Sequence, residues 1–98
     1  MTISWIKNGS KLTVALEGRL DTTTAPQLEE GLRDSLGGVT ELVFDLAKLE
    51  YVSSAGLRVF LSAQKTMNKQ GKMVIRNANS AIMDVFEVTG FSDILRIE

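Results

Sequence analysis

The sequence predicts a single α/β domain in which a mixed β-sheet is flanked by helices. Three observations lead to this prediction. Short aliphatic runs alternate along the chain with longer segments whose apolar residues recur at helical spacing. The resulting order is β-β-α-β-α-β-α-β, and strands separated by a helix are expected to lie parallel through right-handed crossovers. The chain has 98 residues, 44% of them hydrophobic, and only one proline, so we expect residues 1–98 to form one domain around one core.

The first two strands are expected at Met1–Lys7 and Lys11–Glu17. Between them, Asn8-Gly9-Ser10 contains residues that tolerate positive φ, which favours a hairpin turn. Apolar residues alternate with others in the second strand, as expected for a strand with one buried face. The two strands are therefore predicted to pair.

The first helix is expected to begin near Thr24. Thr24 and Gln27 have the spacing of a capping box, and Pro26 fits the first helical turn, where its missing N–H costs little. The apolar residues that follow recur every four positions: Leu28, Leu32 and Leu36. Gly37-Gly38 is then predicted to end the helix.

Two buried strands and two helices are expected to follow. Glu41–Leu46 contains the unbroken run Leu42-Val43-Phe44, which predicts a strand buried on both faces. Ser54–Gln70 is predicted to be an amphipathic helix. The last elements are a strand at Met73-Val74-Ile75, a helix capped by Asn79 or Ser80 and ended by Gly90, and a tail, Ile94–Ile97, that either closes the sheet edge or forms a last strand.

Composition excludes several classes of function. The net charge of -1 gives no broad attraction for nucleic acid or for a membrane surface. Cysteine and histidine are both absent, which removes thiolate chemistry and the usual metal ligands. No apolar run is long enough to span a membrane. We therefore expect a soluble, cytoplasmic protein that uses no cofactor or metal.

The segment Tyr51–Leu57 is the most informative part of the sequence. It places two hydroxyls and a glycine between a predicted buried strand and an amphipathic helix, where α/β proteins commonly bind ligands and partners. A structural explanation is also available, because either Ser53 or Ser54 could be the N-cap of the helix. Gly56 could likewise serve only to let the helix pack closely against the sheet.

Three motifs together resemble the STAS family of sulfate-transporter and anti-sigma-antagonist domains. They are Gly18-Arg19-Leu20-Asp21, which we expect to form a turn, Thr24-Ala25-Pro26 at the predicted helix start, and Val52-Ser53-Ser54-Ala55-Gly56-Leu57. The resemblance covers nearly the whole chain and includes the order of elements. It implies a STAS-like fold.

The resemblance also implies a site. The family segment reads Asp-Ser-Ser-Gly or Asp-Ser-Thr-Gly, and the serine after the aspartate, here Ser54, is the phosphate acceptor. In this sequence Ser53 replaces the aspartate, so it becomes a rival acceptor. The partner-binding residues implied are Asp21, Thr22, Ser53, Ser54, Ala55, Gly56 and Leu57. For Asp21 the alternative is a turn residue that bonds its own backbone, and for Leu57 it is a place in the core.

The function that the resemblance implies is that of a bacterial anti-sigma factor antagonist that switches between partners. Unphosphorylated, it would bind an anti-sigma factor that has a histidine-kinase-like ATPase fold and is a serine kinase, and phosphorylation of Ser54 would release it. A PP2C-type serine phosphatase would reset it. Two alternatives are a constitutive STAS docking subunit of a transport complex and a phosphorylation switch that regulates another target, such as secretion.

An enzyme is not expected. The residues after Gly37-Gly38 lack the lysine-containing pattern of a phosphate-binding loop. Asp45 and Glu50 could in principle hold a metal ion, but carboxylates at the end of a strand more commonly face water. The sequence does not predict the oligomeric state.

Overall fold

The computed structural model describes residues 1–98 and begins with a β-hairpin. Strand β1 (Thr2–Asn8) pairs antiparallel with β2 (Lys11–Leu20), as the sequence predicts. Gly9 has a φ of 64° and is the first of two turn residues, while Ser10 has a negative φ. A two-residue turn that needs positive φ only at its first position is type II′, which explains why glycine stands there.

The remaining elements complete a mixed four-stranded sheet. They are α1 (Ala25–Ser35), β3 (Glu41–Val52), α2 (Ser54–Gln70), β4 (Lys72–Arg76), α3 (Ser80–Thr89) and a 3-10 helix (Phe91–Asp93). The strand order is β1-β2-β3-β4, in which β2, β3 and β4 are parallel neighbours. The predicted mixed sheet is confirmed, and so are the bounds of α2. None of the helices combines the length and the hydropathy that crossing a bilayer requires.

One face of the sheet forms the core together with all three helices. The strand residues that contribute to it are Leu12, Val14, Leu16, Leu20, Leu42, Phe44, Leu46, Leu49, Val52, Met73 and Ile75. Phe60 of α2 links this face to α3 through edge-to-face contacts, with its ring centroid 5.0 Å from that of Phe44 and 6.1 Å from that of Phe86. Val43 is buried on the opposite face, so the prediction that β3 is buried on both faces is confirmed.

Strand β3 is longer than the sequence predicts. It continues past Leu46 to Val52, because its second half pairs with the second half of β2 as far as the pair Leu20–Val52. The register shifts at Gly18/Arg19, but the chain stays in the strand there. The prediction of a turn at Gly18-Arg19-Leu20-Asp21 was therefore wrong for its first three residues.

The C-terminal tail covers the outer edge of β4 without forming a full strand. Ile97 makes a single parallel bridge with Ile75. The N–H of Ile75 donates to the carbonyl of Arg96 at 2.8 Å, and the N–H of Glu98 donates to the carbonyl of Ile75 at 2.9 Å. Of the two predicted alternatives for the tail, closing the sheet edge is the one that the structure has.

Candidate partner-binding site

The candidate site lies where β2 and β3 end side by side. Leu20 and Val52 are register partners at these ends, and the N–H of Ser53 donates to the carbonyl of Leu20 at 2.9 Å. The loop after β2 begins with Asp21, and the helix after β3 begins with Ser54. Because parallel strands end at the same edge of the sheet, the structure brings these two segments together.

The two adjacent serines have different environments. Ser53 is the N-cap of α2, with extended backbone and a side-chain oxygen that accepts a hydrogen bond from the N–H of Gly56 at 3.3 Å. Ser54 is the first residue of the helix and is exposed. Its hydroxyl makes no hydrogen bond within the chain. The capping role therefore belongs to Ser53, and the hydroxyl of Ser54 remains free.

Asp21 organises the turn that leads into α1. Its Oδ1 accepts hydrogen bonds from the hydroxyl of Thr23 at 2.7 Å, from the N–H of Thr23 at 3.0 Å and from the N–H of Thr24 at 3.2 Å. These bonds favour the carboxylate, the one from the Thr23 hydroxyl most strongly, and they lower the pKa of Asp21 although partial desolvation opposes them. The predicted turn role of Asp21 is confirmed.

The predicted capping box at Thr24 was wrong in its mechanism. Thr24 is the N-cap residue of α1, but its side chain makes no capping bond to the helix. Instead its hydroxyl donates to the carbonyl of Arg19 at 2.8 Å and accepts from the N–H of Asp21 at 2.9 Å. The hydroxyl thus ties the loop to the end of β2, and the Asp21 carboxylate satisfies the N–H groups before the helix.

Of the seven predicted partner-binding residues, five are at least partly exposed and two are buried. Thr22 and Ser54 are exposed, while Asp21, Ser53 and Ala55 are half-buried. We call these five residues the switch surface.

Gly56 and Leu57 are the buried members of the predicted set, and they face inward. Leu57 is only 6% exposed and packs in the core, as its alternative explanation predicts. A Cβ atom on Gly56 would lie 2.7 Å from Cγ of Leu20 and 2.9 Å from Cγ2 of Val52. A partner could contact these two residues only if the packing of α2 on the sheet opened.

Two residues beside the switch surface were missed by the sequence prediction. The guanidinium of Arg19 lies over the ring of Tyr51, 4.1 Å from its centroid, and Nε of Arg19 lies 3.9 Å from Oδ2 of Asp21. Tyr51 is 40% exposed. Arg19 and Tyr51 are register partners in the sheet only because the pairing of β2 with β3 shifts twice, between Ala15 and Glu17 and between Gly18 and Arg19. A stacked arginine and tyrosine are typical of residues that anchor protein interfaces.

The first turn of α2 favours negative charge. It contains no acidic residue. Helix geometry leaves the N–H groups of Ser54 and Ala55 without an intrahelical acceptor, and the helix dipole adds partial positive charge at this end. The N-terminal end of α2 therefore favours an anion, while the neighbouring loop contributes the carboxylate of Asp21 and the guanidinium of Arg19.

The two carboxylates considered as metal ligands do not form a metal site. Oδ1 of Asp45 accepts hydrogen bonds from the N–H of Ala47 and from Nδ2 of Asn77, both at 3.1 Å. No group of three histidine, cysteine, aspartate or glutamate residues is arranged to hold a metal ion.

Comparison with known proteins agrees with this architecture. The STAS domain family model matches residues 3–98. BtrV of Bordetella bronchiseptica, named as an anti-sigma factor antagonist, is 34% identical over 99% of this chain and 85% of its own length. The anti-sigma-B factor antagonist of Listeria monocytogenes is 32% identical over 89% of this chain and 78% of its own length.

Solved structures show the same fold at lower sequence identity. An anti-sigma factor antagonist from Mycobacterium paratuberculosis superposes with a TM-score of 0.88 at 22% identity, over 98% of this chain and 83% of that one. Bacillus SpoIIAA superposes in its phosphorylated form with a TM-score of 0.78 at 17% identity, over 99% of this chain and 91% of that one. Its unphosphorylated form gives 0.79 at the same identity, over 99% and 87%.

Proposed function

Because the chain belongs to the STAS domain family, and its relatives at 34% and 32% identity are named as anti-sigma factor antagonists, we propose that it too is an anti-sigma factor antagonist. Such a protein acts by binding another protein and not by catalysing a reaction. The observation that carries the proposal is that the hydroxyl of Ser54 is exposed and makes no hydrogen bond within the chain, beside the loop that begins at Asp21. The switch surface is the part of the molecule that contacts the anti-sigma factor.

Ser54 is the residue whose phosphorylation controls binding. Its hydroxyl is exposed and has no internal hydrogen bond to lose. The oxygen of the rival acceptor, Ser53, already accepts a hydrogen bond from the N–H of Gly56, which orients it toward the helix and makes it a poorer nucleophile. The difference in environment favours Ser54 even though Ser53 occupies the position of the family aspartate.

Phosphorylation of Ser54 leaves the domain folded. A phosphoserine carries about -1.5 to -2 charge units, and the N-terminal end of a helix favours negative charge by about 0.3 to 1 kcal/mol. The first turn of α2 has no acidic side chain to repel the phosphate. The modified and unmodified proteins therefore share one fold.

The same phosphate weakens the complex. At a desolvated interface a poorly paired charge costs about 2 to 5 kcal/mol. At about 1.4 kcal/mol per tenfold change, the affinity falls by roughly thirty-fold to several-thousand-fold. The interface effect is larger than the effect on helix stability, so phosphorylation switches binding without switching the fold.

The partners in this proposal are the ones that the resemblance to anti-sigma factor antagonists implies. The anti-sigma factor is itself the serine kinase, with a histidine-kinase-like ATPase fold, and a PP2C-type phosphatase removes the phosphate. The complex forms in the cytoplasm. The missing carboxylate at Ser53 supports a second candidate, a constitutive STAS docking subunit of a transport complex, because kinase recognition could depend on that charge. A switch acting on secretion instead of on a sigma factor would use the same surface.

The first experiment is phosphorylation by the cognate ATPase. We expect the purified protein, incubated with ATP and the histidine-kinase-like ATPase encoded nearest to it, to gain one phosphate on Ser54, located by mass spectrometry. Ser54→Ala should abolish the modification. Ser53→Ala is the matched control, since it removes the neighbouring hydroxyl and should retain the phosphate.

Binding of the two forms to the ATPase is then compared by isothermal titration calorimetry. The phosphorylated protein should bind at least thirty-fold more weakly, in line with the interface cost of about 2 kcal/mol or more. Equal affinity of the two forms would contradict the switch. Tight binding without any phosphate transfer would favour the constitutive docking subunit.

A further inference from the structure

The two edge strands of the sheet differ in how many of their backbone N–H and C=O groups lack a hydrogen-bond partner. The β4 edge is covered by the tail, which exchanges hydrogen bonds with Ile75. Strand β1 is the other edge, and it pairs only with β2. A seven-residue strand with a free edge presents unpaired N–H and C=O groups that can bind another strand.

The hairpin geometry shows which groups are free. Asn8 and Lys11 flank the two-residue turn, so they form a hydrogen-bonded pair, and hydrogen-bonded pairs then recur at every second residue. The residues in between direct their N–H and C=O groups outward: Ile3, Trp5 and Lys7. These three positions are symmetric about Trp5.

We infer that β1 pairs with β1 of a second copy of the chain, in antiparallel orientation, to form a continuous eight-stranded sheet. With the two-fold axis at Trp5, each Trp5 lies opposite its equivalent and each Ile3 lies opposite Lys7 of the other copy. Both N–H and C=O groups at all three positions are then satisfied, giving about six hydrogen bonds across the interface.

The side chains of β1 are compatible with this pairing. Lys7 is the only charged residue of the strand, and the register places it opposite an isoleucine instead of opposite a second lysine. Trp5 is 36% exposed and packs beside Gly31 of α1, where any Cβ atom would overlap its ring. On the other face Ile6 is 59% exposed and would lie opposite Ser4 of the second copy.

Apart from the charge of Lys7, the strand lacks the features that normally protect an edge. It contains no proline, and all seven of its residues pair with β2 in unbroken register, without a bulge. Because the tail already bonds to the β4 edge at Ile75, pairing through β1 uses the longer free edge of both copies. Association therefore stops at a closed dimer and does not continue into a fibre.

The dimer would present two switch surfaces that point away from each other. Antiparallel pairing of the two β1 strands makes the two β2 strands antiparallel as well, so their C-terminal ends lie at opposite ends of the joint sheet. Two partner molecules could then bind one dimer without overlapping. The inference itself does not depend on the proposed function, because it concerns a different edge of the fold.

The test is the concentration dependence of the molecular mass. Sedimentation equilibrium from low micromolar to near-millimolar concentration should show a reversible monomer–dimer equilibrium for the unmodified chain. Lys7→Pro removes an outward N–H and leaves the hairpin bonds intact, so this variant should stay monomeric. Lys7→Ala is the matched control, because it removes the charge but keeps the N–H, and it should still dimerise.

Each other outcome contradicts the inference. A chain that is monomeric at every concentration does not pair, and a dimer that survives Lys7→Pro uses another surface. Loss of the dimer in Lys7→Ala would mean that the side chain and not the backbone makes the contact.

Amide hydrogen exchange supplies a readout that needs no variant. The N–H groups of Ile3, Trp5 and Lys7 should exchange more slowly as the concentration of the unmodified chain rises. The absence of any such concentration dependence would contradict the pairing even if Lys7→Pro failed to fold.

Discussion

At the residue scale, the two serines at the start of α2 have different roles, capping the helix and exposing a free hydroxyl. The sequence alone could not assign these roles to one serine or the other. Ser53 accepts the capping hydrogen bond, and Ser54 keeps a free hydroxyl at the surface. One residue can therefore maintain the helix while its neighbour is modified. Under the proposed function, this division would let Ser54 be phosphorylated within the first turn of the helix while the fold stays independent of the phosphate.

The division predicts unequal effects of two alanine substitutions. Ser53→Ala should lower the free energy of unfolding by about 0.5 to 2 kcal/mol, because the N–H of Gly56 loses its acceptor. Ser54→Ala should change it by no more than about 0.5 kcal/mol, as expected of an exposed residue without a partner. Urea denaturation followed by circular dichroism measures both, and a larger loss in Ser54→Ala would show that the roles are reversed.

The carboxylate of Asp21 predicts a pH dependence. Its pKa in the folded state is lowered below the ordinary value of 3.8, so its ionised form stabilises the fold. That contribution is complete at pH values above 3.8 and is lost as the pH falls through the lower folded-state pKa. Asp21→Asn should therefore unfold at a lower temperature than the unmodified chain at neutral pH.

The difference in unfolding temperature between these two proteins should shrink at acid pH. Thermal unfolding scans measure this difference at a series of pH values, from neutral pH down to the lowest pH at which both proteins are still folded. Glu50→Gln serves as the control, since it also removes one carboxylate but does so at an exposed position of β3. A constant difference for Asp21→Asn at every pH would contradict the role given to the hydrogen bonds of the carboxylate.

The site residues could be predicted from the sequence only in part. Asp21 and Ser53 lie in short polar segments between elements and Ser54 begins α2, and such segments are visible in the sequence. Arg19 and Tyr51 could not be found in this way, because their contact depends on the register of two strands that are far apart in sequence. The burial of Gly56 likewise depends on the side chain of Leu20.

At the element scale, Gly56 determines how closely α2 approaches the sheet. The helix crosses the ends of β2 and β3 at a point where Leu20 and Val52 leave no space for a side chain. A larger residue would push the start of α2 outward and with it Ser53 and Ser54. The position of the switch surface thus depends on a contact in the interior.

Gly56→Ala should lower the free energy of unfolding by about 1 to 3 kcal/mol, the usual effect of one methyl group too many in a packed interior. It should also weaken partner binding. Gly37→Ala is the matched control, because no atom lies within 4 Å of the position that its added methyl group would occupy, and its φ lies outside the left-handed region. Denaturant unfolding compares the stability of Gly56→Ala with that of Gly37→Ala. Equal stability would show that the start of α2 can move to make room for the added methyl group.

Local signals explain which elements were predicted correctly. The bounds of α2 and the Asn79 cap of α3 depend on residues close in sequence, and Oδ1 of Asn79 accepts from the N–H of Ile82 at 2.9 Å. The length of β3 was underestimated because Ala47, Lys48 and Glu50 interrupt the apolar pattern. Pairing with β2 keeps that segment in the sheet despite its polar sequence.

At the scale of the whole molecule, the end of the sheet opposite the switch surface is closed by backbone hydrogen bonds. The N–H of Thr40 donates to the carbonyl of Ser10 at 2.9 Å, and the N–H of Lys72 donates to the carbonyl of Thr40 at 2.9 Å. Three chain segments that enter β2, β3 and β4 are thereby joined. The hairpin and the two crossovers are held in register at this end.

Gly71 makes this junction possible. A Cβ atom there would overlap the carbonyl of Thr40, which is backbone and cannot move aside like a flexible side chain. Gly71→Ala should therefore lower the free energy of unfolding by about 3 kcal/mol, the upper end of the range for overpacking. Lys72→Ala, at the exposed neighbour, should have little effect. Thermal melts compare the two, and a fully stable Gly71→Ala would mean that the junction tolerates displacement.

The open space around Gly37 and Gly38 has a practical consequence. Their loop follows α1 at the end of the sheet opposite Ser54, and no atom lies within 4 Å of the space that a side chain would fill at either position. A fluorophore or an affinity tag attached there would stay away from the partner surface. The loop therefore offers a place to immobilise the protein for single-molecule measurements while the surface around Ser54 remains accessible.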